Sequence, residues 1–394
     1  MTGPASVSFD VLHSVYQWLP RTATWVSGQI ASLPADVRTH VVCERVINAD
    51  EFPHPRIHTL EHQSFAARAV DQTARRLGLR RHLRFQVDVA RRTGAAVLHS
   101  HFGTVGWRDI GVAKATDAGH VVTFYGWDMS SLPHKHPEWR PRYLDLFDTV
   151  DHVLLEGEHM ARALVDLGCP REKVTVHHLG VDTSSIPFEP RRWQPGQPLR
   201  VLMAAVFREK KGLPYGIEAL GRIRANADIE LTIIGDSDGG AASEREKQRM
   251  LDTLDSSGLR DRTRLLGFRS HAEMYQEAGS HHVFLSPSVT ASDGDTEGGA
   301  PVSIIEMCAS GMMVVSSRHC DIPGVVQDGV TGLLANERDV DELAAHVQWL
   351  IDNPGEWDSL LTRSREHIEG EFDAVTQGHR LADIYRRVAG ERGR

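Results

Sequence analysis

The stretch Leu199-Arg-Val-Leu-Met-Ala-Ala-Val-Phe-Arg-Glu-Lys-Lys-Gly212 decides how the second half of the chain is interpreted. It begins with a mostly apolar run, which is typical of a buried strand, and ends in charged residues and a glycine. In open α/β sheets, ligands bind beyond the carboxyl ends of the strands, where cations before a helix suit an anion such as a diphosphate. We therefore predict an anion-binding strand end here; a solvated loop with a charge cluster is the alternative.

Strand-like runs alternate with helical runs along the whole chain. The candidate strands of the first half are Val7–Tyr16, Thr39–Val46, Ala95–Phe102, His120–Tyr125, Asp151–Leu155 and Val174–Leu179. Those of the second half are Leu199–Val206, Ile229–Gly235, Thr263–Phe268, His282–Ser286 and Met312–Ser316. Repeated strand–helix units predict parallel sheets with right-handed crossovers. The predicted fold class is α/β, with two Rossmann-like, doubly wound domains that face a cleft.

The boundary between the halves is predicted from proline. Residues 187–198 contain four prolines, which do not fit inside a helix or a central strand, so we interpret this segment as an interdomain linker. The predicted domains are 1–190 and 191–371. Phe372–Arg387 has a helical pattern, and we expect residues of about 372–394 to cross back to the first domain.

Composition narrows the functional classes. The 394 residues carry 44 Lys and Arg against 53 Asp and Glu, so the formal net charge is −9, which argues against a general nucleic-acid binder. The start of the chain shows neither a cationic leader nor a long apolar run, and the four cysteines are scattered. We therefore expect a cytoplasmic protein with reduced thiols.

A second strand end precedes a small, Gly-rich loop. Ser286 ends a predicted strand, and Gly298 and Gly299 would let backbone N–H groups approach a phosphate before a helix that begins near Pro301. Glu306 lies inside this apolar helix and needs a partner. A ribose diol could supply that partner, and a buried ion pair is the alternative.

These residues resemble the donor site of the retaining family 4 glycosyltransferases, which have the GT-B fold. The resemblance rests on segments in the family's order, which we list: His99–Gly103, Thr123–Asp128, Gly168–Asp182, Phe207–Leu213, Leu231–Asp236, Glu297–Pro301, Glu306–Ser317, Ile322–Val326 and Gly329–Leu334. The match spans nearly the whole chain. It looks closest to members that build extracellular or capsular polysaccharides.

The resemblance implies roles for individual residues. Arg208 and Lys211 would hold the donor's diphosphate, and Glu297 with its following glycines would face the transferred sugar. The implied catalytic residues are Arg208, Lys211 and Glu297, and the implied donor-binding residues are Gly298, Gly299, Glu306, Asp236 and Ser286. Glu306 would hold the ribose.

Three positions depart from the family pattern. Eight residues separate Glu297 from Glu306, where the family usually has seven, which leaves the role of Glu297 open. The family's Arg stands at the place of Val206, and we expect Arg208 to replace it because two residues along a strand share a face. The family often has His where this chain has Tyr125.

The resemblance places the acceptor side in the first domain. The candidate residues are His101, Tyr125, Asp128 and Thr22. His101 follows a predicted strand, so it would lie near the cleft, although a packed, hydrogen-bonded His at a strand end is the alternative. The acceptor itself is expected to be a carbohydrate or a lipid-linked saccharide.

No cofactor or metal is expected to be required. Asp293-Gly-Asp295 resembles the D-x-D that holds a metal in single-domain GT-A transferases, but a sugar-hydroxyl contact or a loop cap fits the two-domain pattern better. The paired histidines lack the spacing of a metal site. A UDP- or GDP-linked hexose would be the cosubstrate.

Residues 64–92 reverse the chain's charge locally. They contain eight Arg and two Asp, a balance of +8 − 2 = +6. A basic amphipathic helix of this kind could contact an anionic membrane surface beside a lipid-linked acceptor; a solvated helix face is the alternative.

The sequence therefore favours a retaining glycosyltransferase that moves a hexose from a nucleotide diphosphate sugar to a carbohydrate hydroxyl. Two other interpretations stay open. A nucleotide-sugar epimerase on the same fold would use the same phosphate site without an acceptor, and a non-catalytic subunit would only bind the nucleotide sugar.

Overall fold

In a computed structural model, the chain is described over residues 9–20 and 23–392. Its contacts divide it into two compact units. Unit 1 comprises Met1–Gly180 and Ala374–Arg394, and unit 2 comprises Val181–Asp373. From the sequence we predict that the first domain ends at residue 190 and that the chain returns to it at about residue 372.

Unit 1 is built on a parallel sheet. Its strands are β1 (Phe9–Ser14), β2 (Gln17–Trp18), β3 (Val37–Cys43), β4 (Arg45–Val46), β5 (Ile57–Thr59), β6 (Val97–His101), β7 (Gly119–Thr123), β8 (His152–Leu155) and β9 (Val174–Val176). Its helices are α1 (Thr24–Ala31), α2 (Phe65–Arg76), α3 (Arg84–Thr93), α4 (Gly103–Thr116), α5 (Ser131–Lys135), α6 (Trp139–Thr149) and α7 (Glu158–Asp166). Seven strands form one sheet in the order β5-β3-β1-β6-β7-β8-β9, and β2 pairs with β4.

Unit 2 repeats this plan. Its strands are β10 (Leu199–Ala204), β11 (Ile229–Ile234), β12 (Thr263–Gly267), β13 (Val283–Ser286), β14 (Met313–Ser317) and β15 (Leu333–Ala335). Its helices are α8 (Leu213–Ile223), α9 (Ala241–Ser256), α10 (His271–Ala278), α11 (Val302–Ser310), α12 (Ile322–Val325), α13 (Val340–Asp352) and α14 (Trp357–Glu371). The sheet order is β12-β11-β10-β13-β14-β15, with parallel neighbours throughout.

Inner strands such as β6 and β7 of unit 1 and β14 of unit 2 are buried throughout, as expected for parallel sheets covered by helices, whereas the edge strand β12 is partly exposed. The last helix, α15 (Ala374–Arg392), returns to unit 1, where Tyr385 and Val388 pack in the apolar cluster that contains Val97 of β6 and Val121 of β7. The expected two-domain, Rossmann-like α/β class and the returning helix are therefore both present.

Two expectations about local structure were wrong. The basic stretch 64–92 forms two helices, α2 and α3, instead of one. The helical conformation is interrupted near Gly78, which has a φ of +69°. The Pro-rich segment 187–198 lacks helix and strand as predicted, but it packs as part of unit 2. Trp193 is buried in the core of that unit, and the N–H of Arg191 donates to the carbonyl of Gly311.

Among the described residues, no helix combines the length and the apolar character that crossing a bilayer requires.

Candidate functional site

The loops that follow β10 and β13 meet because their strands are neighbours in the sheet of unit 2. Beyond β10, the chain makes a 3-10 turn over Glu209–Lys211 and reaches Gly212 at a φ of +64°. A Cβ on Gly212 would lie 1.9 Å from the carbonyl oxygen of Pro287, in the loop after β13. Glycine is therefore required at this close approach, which holds the preceding lysines against the second loop.

Lys211 and Glu297 form a direct ion pair at this meeting point. The Lys211 ammonium donates to the Glu297 carboxylate at 2.8 Å, and the hydroxyl of Ser288 donates to its other oxygen at 2.8 Å. Burial alone would raise the pKa of Glu297, but the charges of Lys211 and Lys210 outweigh it and lower that pKa. Glu297 is therefore held as a carboxylate, and the structure brings together two of the three implied catalytic residues.

Lys210 binds the same loop one step earlier. Its ammonium lies 3.3 Å from the Asp295 carboxylate and donates to the carbonyl of Thr296 at 2.8 Å. Asp293 accepts the N–H of Asp295 at 3.0 Å, so this carboxylate turns the loop on itself. Asp295 therefore faces a cation, and the contacts of the pair match the loop cap that was one alternative for the D-x-D.

Arg208 points to a different loop from Lys211. Its guanidinium binds the Asp238 carboxylate at 2.8 Å, in the loop after β11. The strand argument for Arg208 was wrong, because β10 ends at Ala204 and both Val206 and Arg208 lie beyond it. The alternation of side chains along a strand does not apply there.

Asp236 lies at the carboxyl end of β11 and is also paired. Its carboxylate lies 2.5 Å from the Lys247 ammonium and accepts the N–H of Ser237 at 2.7 Å. The hydrogen bond from Lys247 is the main cause that lowers the pKa of Asp236, and the hydrogen bond from the N–H of Ser237 lowers it further. Ser286 closes β13, and its carbonyl accepts the hydroxyl of Ser316 at 2.5 Å.

Glu306 is buried in α11 and pairs with His271. Nε2 of His271 lies 2.8 Å from Oε1 of Glu306, and this hydrogen bond raises the pKa of His271. Glu306 thus has a protein partner, as in the ion-pair alternative, but the pair is only partly buried. Because the His271 side chain is largely exposed, the pair reaches from the buried helix to the surface.

The Gly-rich loop leads directly into α11. Gly298 has a φ of +76°, which only glycine adopts readily, and its N–H donates to the hydroxyl of Thr296 at 3.2 Å. Gly299 follows within the buried part of the loop. Pro301, the predicted first residue of the helix, is the N-cap position of α11, which begins one residue later at Val302.

His319 supports the loop and was missed from the sequence. It follows β14 and is buried; its Nε2 accepts the N–H of Glu297 at 3.1 Å, while its Nδ1 lies 2.6 Å from the Glu337 carboxylate. Because Nε2 accepts, the proton of the neutral ring lies on Nδ1, facing Glu337. Like Ser286, His319 lies near the carboxyl end of a predicted strand, and this position could have identified His319 as a candidate from the sequence.

Three of the four acceptor-side candidates lie in the described part of unit 1; Thr22 lies outside the described residues. His101 is buried at the end of β6, with its ring hydrogen-bonded to the Tyr125 hydroxyl at 2.7 Å and to His13 at 3.1 Å. Burial lowers the pKa of His101 to about 3 and raises that of Tyr125. His101 therefore matches the packed, hydrogen-bonded alternative.

Asp128 is fully buried and binds backbone. It accepts the N–H of Gly103 at 2.7 Å and that of Tyr125 at 3.0 Å. Burial raises the pKa of Asp128 to about 6. Its carboxylate thus connects the start of α4 to the loop after β7.

Three buried histidines are the described group whose ligand atoms lie close enough for a shared metal. Nitrogen atoms of His13, His99 and His101 lie within 4.8 Å of one another. Their rings stack, however: His99 and His101 have centroids 4.3 Å apart and planes at 28°. A metal lies in the plane of each ring that binds it, so side-by-side rings do not suit one ion.

Comparison with known proteins covers both units. A model described as "Glycosyltransferase Family 4" matches residues 29–185, and one described as "Glycosyl transferases group 1" matches residues 187–367. The amylovoran biosynthesis glycosyltransferase AmsK of Erwinia amylovora is 33% identical over 293 residues, which are 73% of this chain and 69% of that protein. WcaL of Salmonella typhimurium, provisionally assigned as a colanic acid biosynthesis glycosyltransferase, is 32% identical over 306 residues, 75% of this chain and 71% of WcaL.

Among solved structures, Anabaena HepE in complex with UDP and glucose superposes with a TM-score of 0.74 at 16% identity, covering 96% of this chain and 100% of that one. That likeness concerns the fold, whereas the matches in sequence concern the family. The chain belongs to the family 4 glycosyltransferases of the GT-B fold.

Proposed function

We propose that this protein is a retaining glycosyltransferase that moves a hexose from a UDP- or GDP-linked donor to a hydroxyl of a carbohydrate or lipid-linked saccharide during polysaccharide synthesis. The observation that carries the proposal is the partly buried Lys211–Glu297 ion pair before α11. AmsK acts in amylovoran biosynthesis by its name, and HepE was solved with UDP and glucose, which supports this substrate class.

The chemistry follows from charge. As the donor bond breaks, negative charge develops on the leaving diphosphate; Lys211, Arg208 and the N-terminus of α11 would offset it. Both cations rest on carboxylates in the free protein, Lys211 on Glu297 and Arg208 on Asp238. A diphosphate would compete for them, and each would need only a local shift to bind it.

Glu297 would orient the transferred sugar rather than donate a proton. Lys211 and Lys210 keep the pKa of Glu297 low, so it is ionised near neutral pH and can accept hydrogen bonds from sugar hydroxyls. The departing diphosphate would take the proton of the acceptor hydroxyl, on the face from which it leaves, and the anomeric configuration would be retained. Glu306 would hold the ribose, with His271 as its partner.

A nucleotide panel tests the donor half of the proposal. UDP or GDP should raise the melting temperature, because a ligand present at a hundredfold excess over Kd stabilises the folded state by about 2.7 kcal/mol. ADP is the control. If no nucleotide stabilises the protein, the proposal is wrong.

Product analysis tests the rest. Transfer from the nucleotide sugar to an oligosaccharide acceptor should give a product with the donor's anomeric configuration, and EDTA should leave the rate unchanged because we propose no metal requirement. Conversion of the donor alone to an epimer would instead support the epimerase. The relatives reported above are glycosyltransferases, so no observation favours that alternative.

A further inference from the structure

The charged residues expected to bind the donor are paired within unit 2 in the free protein. Lys211 and Arg208 each bind a carboxylate at 2.8 Å, and Oε1 of Glu306 lies 2.8 Å from Nε2 of His271. A donor nucleotide would therefore have to exchange partners with these residues. Among the partners, His271 is the one whose side chain ordinarily titrates near neutral pH.

The two members of the Glu306–His271 pair differ in exposure. The Glu306 side chain is 11% exposed and belongs to a helix whose neighbouring residues, Ile305 and Met307, are buried. The His271 side chain is 68% exposed. A carboxylate among apolar residues needs a hydrogen-bond donor beside it, whereas an exposed imidazole can return to water at little cost. His271 is therefore the member that can leave.

The Lys211–Glu297 pair has the opposite arrangement. Its cation is 24% exposed and its carboxylate 6%, so a phosphate that takes the cation leaves the more buried member behind. At Glu306 a ligand would instead take the buried member and release the exposed one. The two hydroxyls of a ribose can both donate to one carboxylate, so they can replace the single donor that His271 supplies.

The hydrogen bond to Glu306 also controls the protonation of His271. It raises the pKa of His271, against the opposing effect of burial. His271 is the first residue of α10, where the positive end of the helix dipole disfavours a cation. If Glu306 were taken by a ligand, the pKa of His271 would fall, and the imidazole would lose its proton more readily.

The other groups around His271 do not replace Glu306. The ring of Tyr275, on the same helix, has its centre 4.8 Å from that of the imidazole. Burial and the charge of Glu306 raise the pKa of Tyr275, so its hydroxyl stays neutral. Glu273 accepts hydrogen bonds at the N-cap of α10, and the guanidinium of Arg269 donates to a backbone carbonyl at 2.9 Å. The protonation of His271 therefore follows the state of Glu306.

We propose that His271 occupies the ribose-binding position on Glu306 in the free protein, and that the donor's ribose displaces it with release of a proton. This inference rests on the proposed function, because it takes Glu306 as the residue that holds the ribose. It adds a competitor within the protein itself, which makes the affinity for the donor depend on pH.

The direction of the pH dependence follows from linkage. The free protein holds a proton on His271 that the complex has lost, so affinity rises as the pH rises. The rise begins near the ordinary pKa of histidine, about 6.5, and levels off above the raised pKa of His271 in the free protein.

Isothermal titration calorimetry of the full chain with UDP and with GDP tests the proposal. Binding enthalpies measured near pH 7 in buffers of different ionisation enthalpy give the number of protons released. The wild type should release more than His271→Gln, because glutamine can donate to Glu306 but does not titrate. Since the phosphates of the nucleotide can titrate as well, the difference between the two proteins is the readout.

A second variant separates competition from support. His271→Ala removes the competitor, so Kd for the nucleotide should fall roughly twofold to fivefold at pH 6 and by less at pH 8. His136→Ala is the matched control, because His136 is also an exposed histidine beside a glutamate, 3.6 Å from Glu138 in unit 1; it should bind like the wild type. Far-UV circular dichroism should show both variants folded, since the substituted side chains are exposed.

Three outcomes would overturn the proposal: equal proton release by the wild type and His271→Gln, weaker nucleotide binding by His271→Ala, or an affinity of the wild type that falls between pH 6 and pH 8. Weaker binding by His271→Ala would make His271 a positioning residue that supports Glu306. If the wild type binds neither UDP nor GDP, the proposed function fails together with this inference. Binding without the proton release of His271 refutes this inference alone, so the two failures are distinguishable.

Discussion

The carboxyl edges of the two sheets both carry buried polar groups, but of opposite kinds. In unit 2, Lys211 and Glu297 meet as ions across two loops. In unit 1, His99 and His101 stack and hydrogen-bond with neutral partners, and burial holds the pKa of each far below its ordinary value. The edge in unit 2 therefore carries paired charges, whereas the buried histidines at the edge in unit 1 are neutral.

This difference indicates which edge can respond to an anion. In the Lys211–Glu297 pair a phosphate could also compensate the cation, but releasing the buried Glu297 carboxylate has a cost, because only Lys210 then remains to offset its charge. The neutral histidines of unit 1 offer no such exchange. His101 contacts His13 of β1 at 3.1 Å and His99 hydrogen-bonds to the Tyr385 hydroxyl of α15 at 2.6 Å, so these side chains connect β1, β6 and α15.

Removing Lys211, the cation of the ion pair in unit 2, should have the largest effect on activity. Lys211→Ala should lower kcat/KM by roughly 10²–10³, since a preorganised charge contact to the leaving diphosphate is lost. Lys114→Ala, an exposed Lys of α4, is the control and should be unaffected. Initial-rate kinetics give the answer, and near-normal turnover of the folded Lys211→Ala variant would contradict a role for the pair in transfer.

Neutralising the anion should affect stability. Glu297→Gln leaves the Lys211 ammonium without its partner, and because that Lys is partly exposed the free energy of unfolding should fall by about 2 kcal/mol, less than the ~3–5 kcal/mol of a fully buried pair. Urea unfolding measures the loss. Glu366→Gln, on the exposed side of α14, serves as control; equal stability of the two variants would mean that the pair is not stabilising.

The neutral edge should make unit 1 sensitive to acid. The pKa of His101 is lowered to about 3 by burial, so the unfolded chain binds its proton near pH 6.5 and the folded chain does not. Stability is therefore complete above pH 6.5 and falls as the pH drops, by about 2 kcal/mol for this group between pH 7 and pH 5. Urea unfolding at both values checks it. His101→Asn should flatten the dependence, and an unchanged slope would refute the assignment.

The smallest effect is expected at the support of the charged edge. His319→Phe removes the acceptor for the Glu297 N–H, and the resulting shift of the loop should lower kcat roughly tenfold. His319→Asn, whose side-chain oxygen can still accept, should recover part of the loss. His281→Phe is the control, a buried His before β13. A loss of stability at equal kcat would make His319 a purely structural residue.

The alternation of strands and helices was enough to predict both sheets. Each predicted strand has a counterpart, because buried parallel strands are continuous apolar runs. The short strands β2, β5 and β15 were missed, since two or three residues carry too little pattern to stand out from a loop. Trp193 explains the error at the Pro-rich segment: proline excludes regular structure there but does not prevent packing.

The sequence indicated which strand ends supply the residues of the candidate site, but not which of those residues contact one another. Position at strand ends identified Lys211 and the loop of Glu297, whereas their pairing depends on the register of β10 with β13, which the sequence does not encode locally. Arg208 pairs with Asp238 in the loop after β11, and Glu306 pairs with His271 at the start of α10, and both partners are distant in the chain.

The return of α15 to unit 1 has a consequence for synthesis. The ribosome delivers residues 374–392 after the whole of unit 2, yet Tyr385 and Val388 complete the cluster around β6 and β7. Unit 2, which is continuous in the chain, can finish folding first, while unit 1 waits with one face uncovered. Truncation before residue 374 should therefore expose the older, N-terminal half to aggregation, and a fragment that contains only unit 1 would need its last helix supplied through a new linkage.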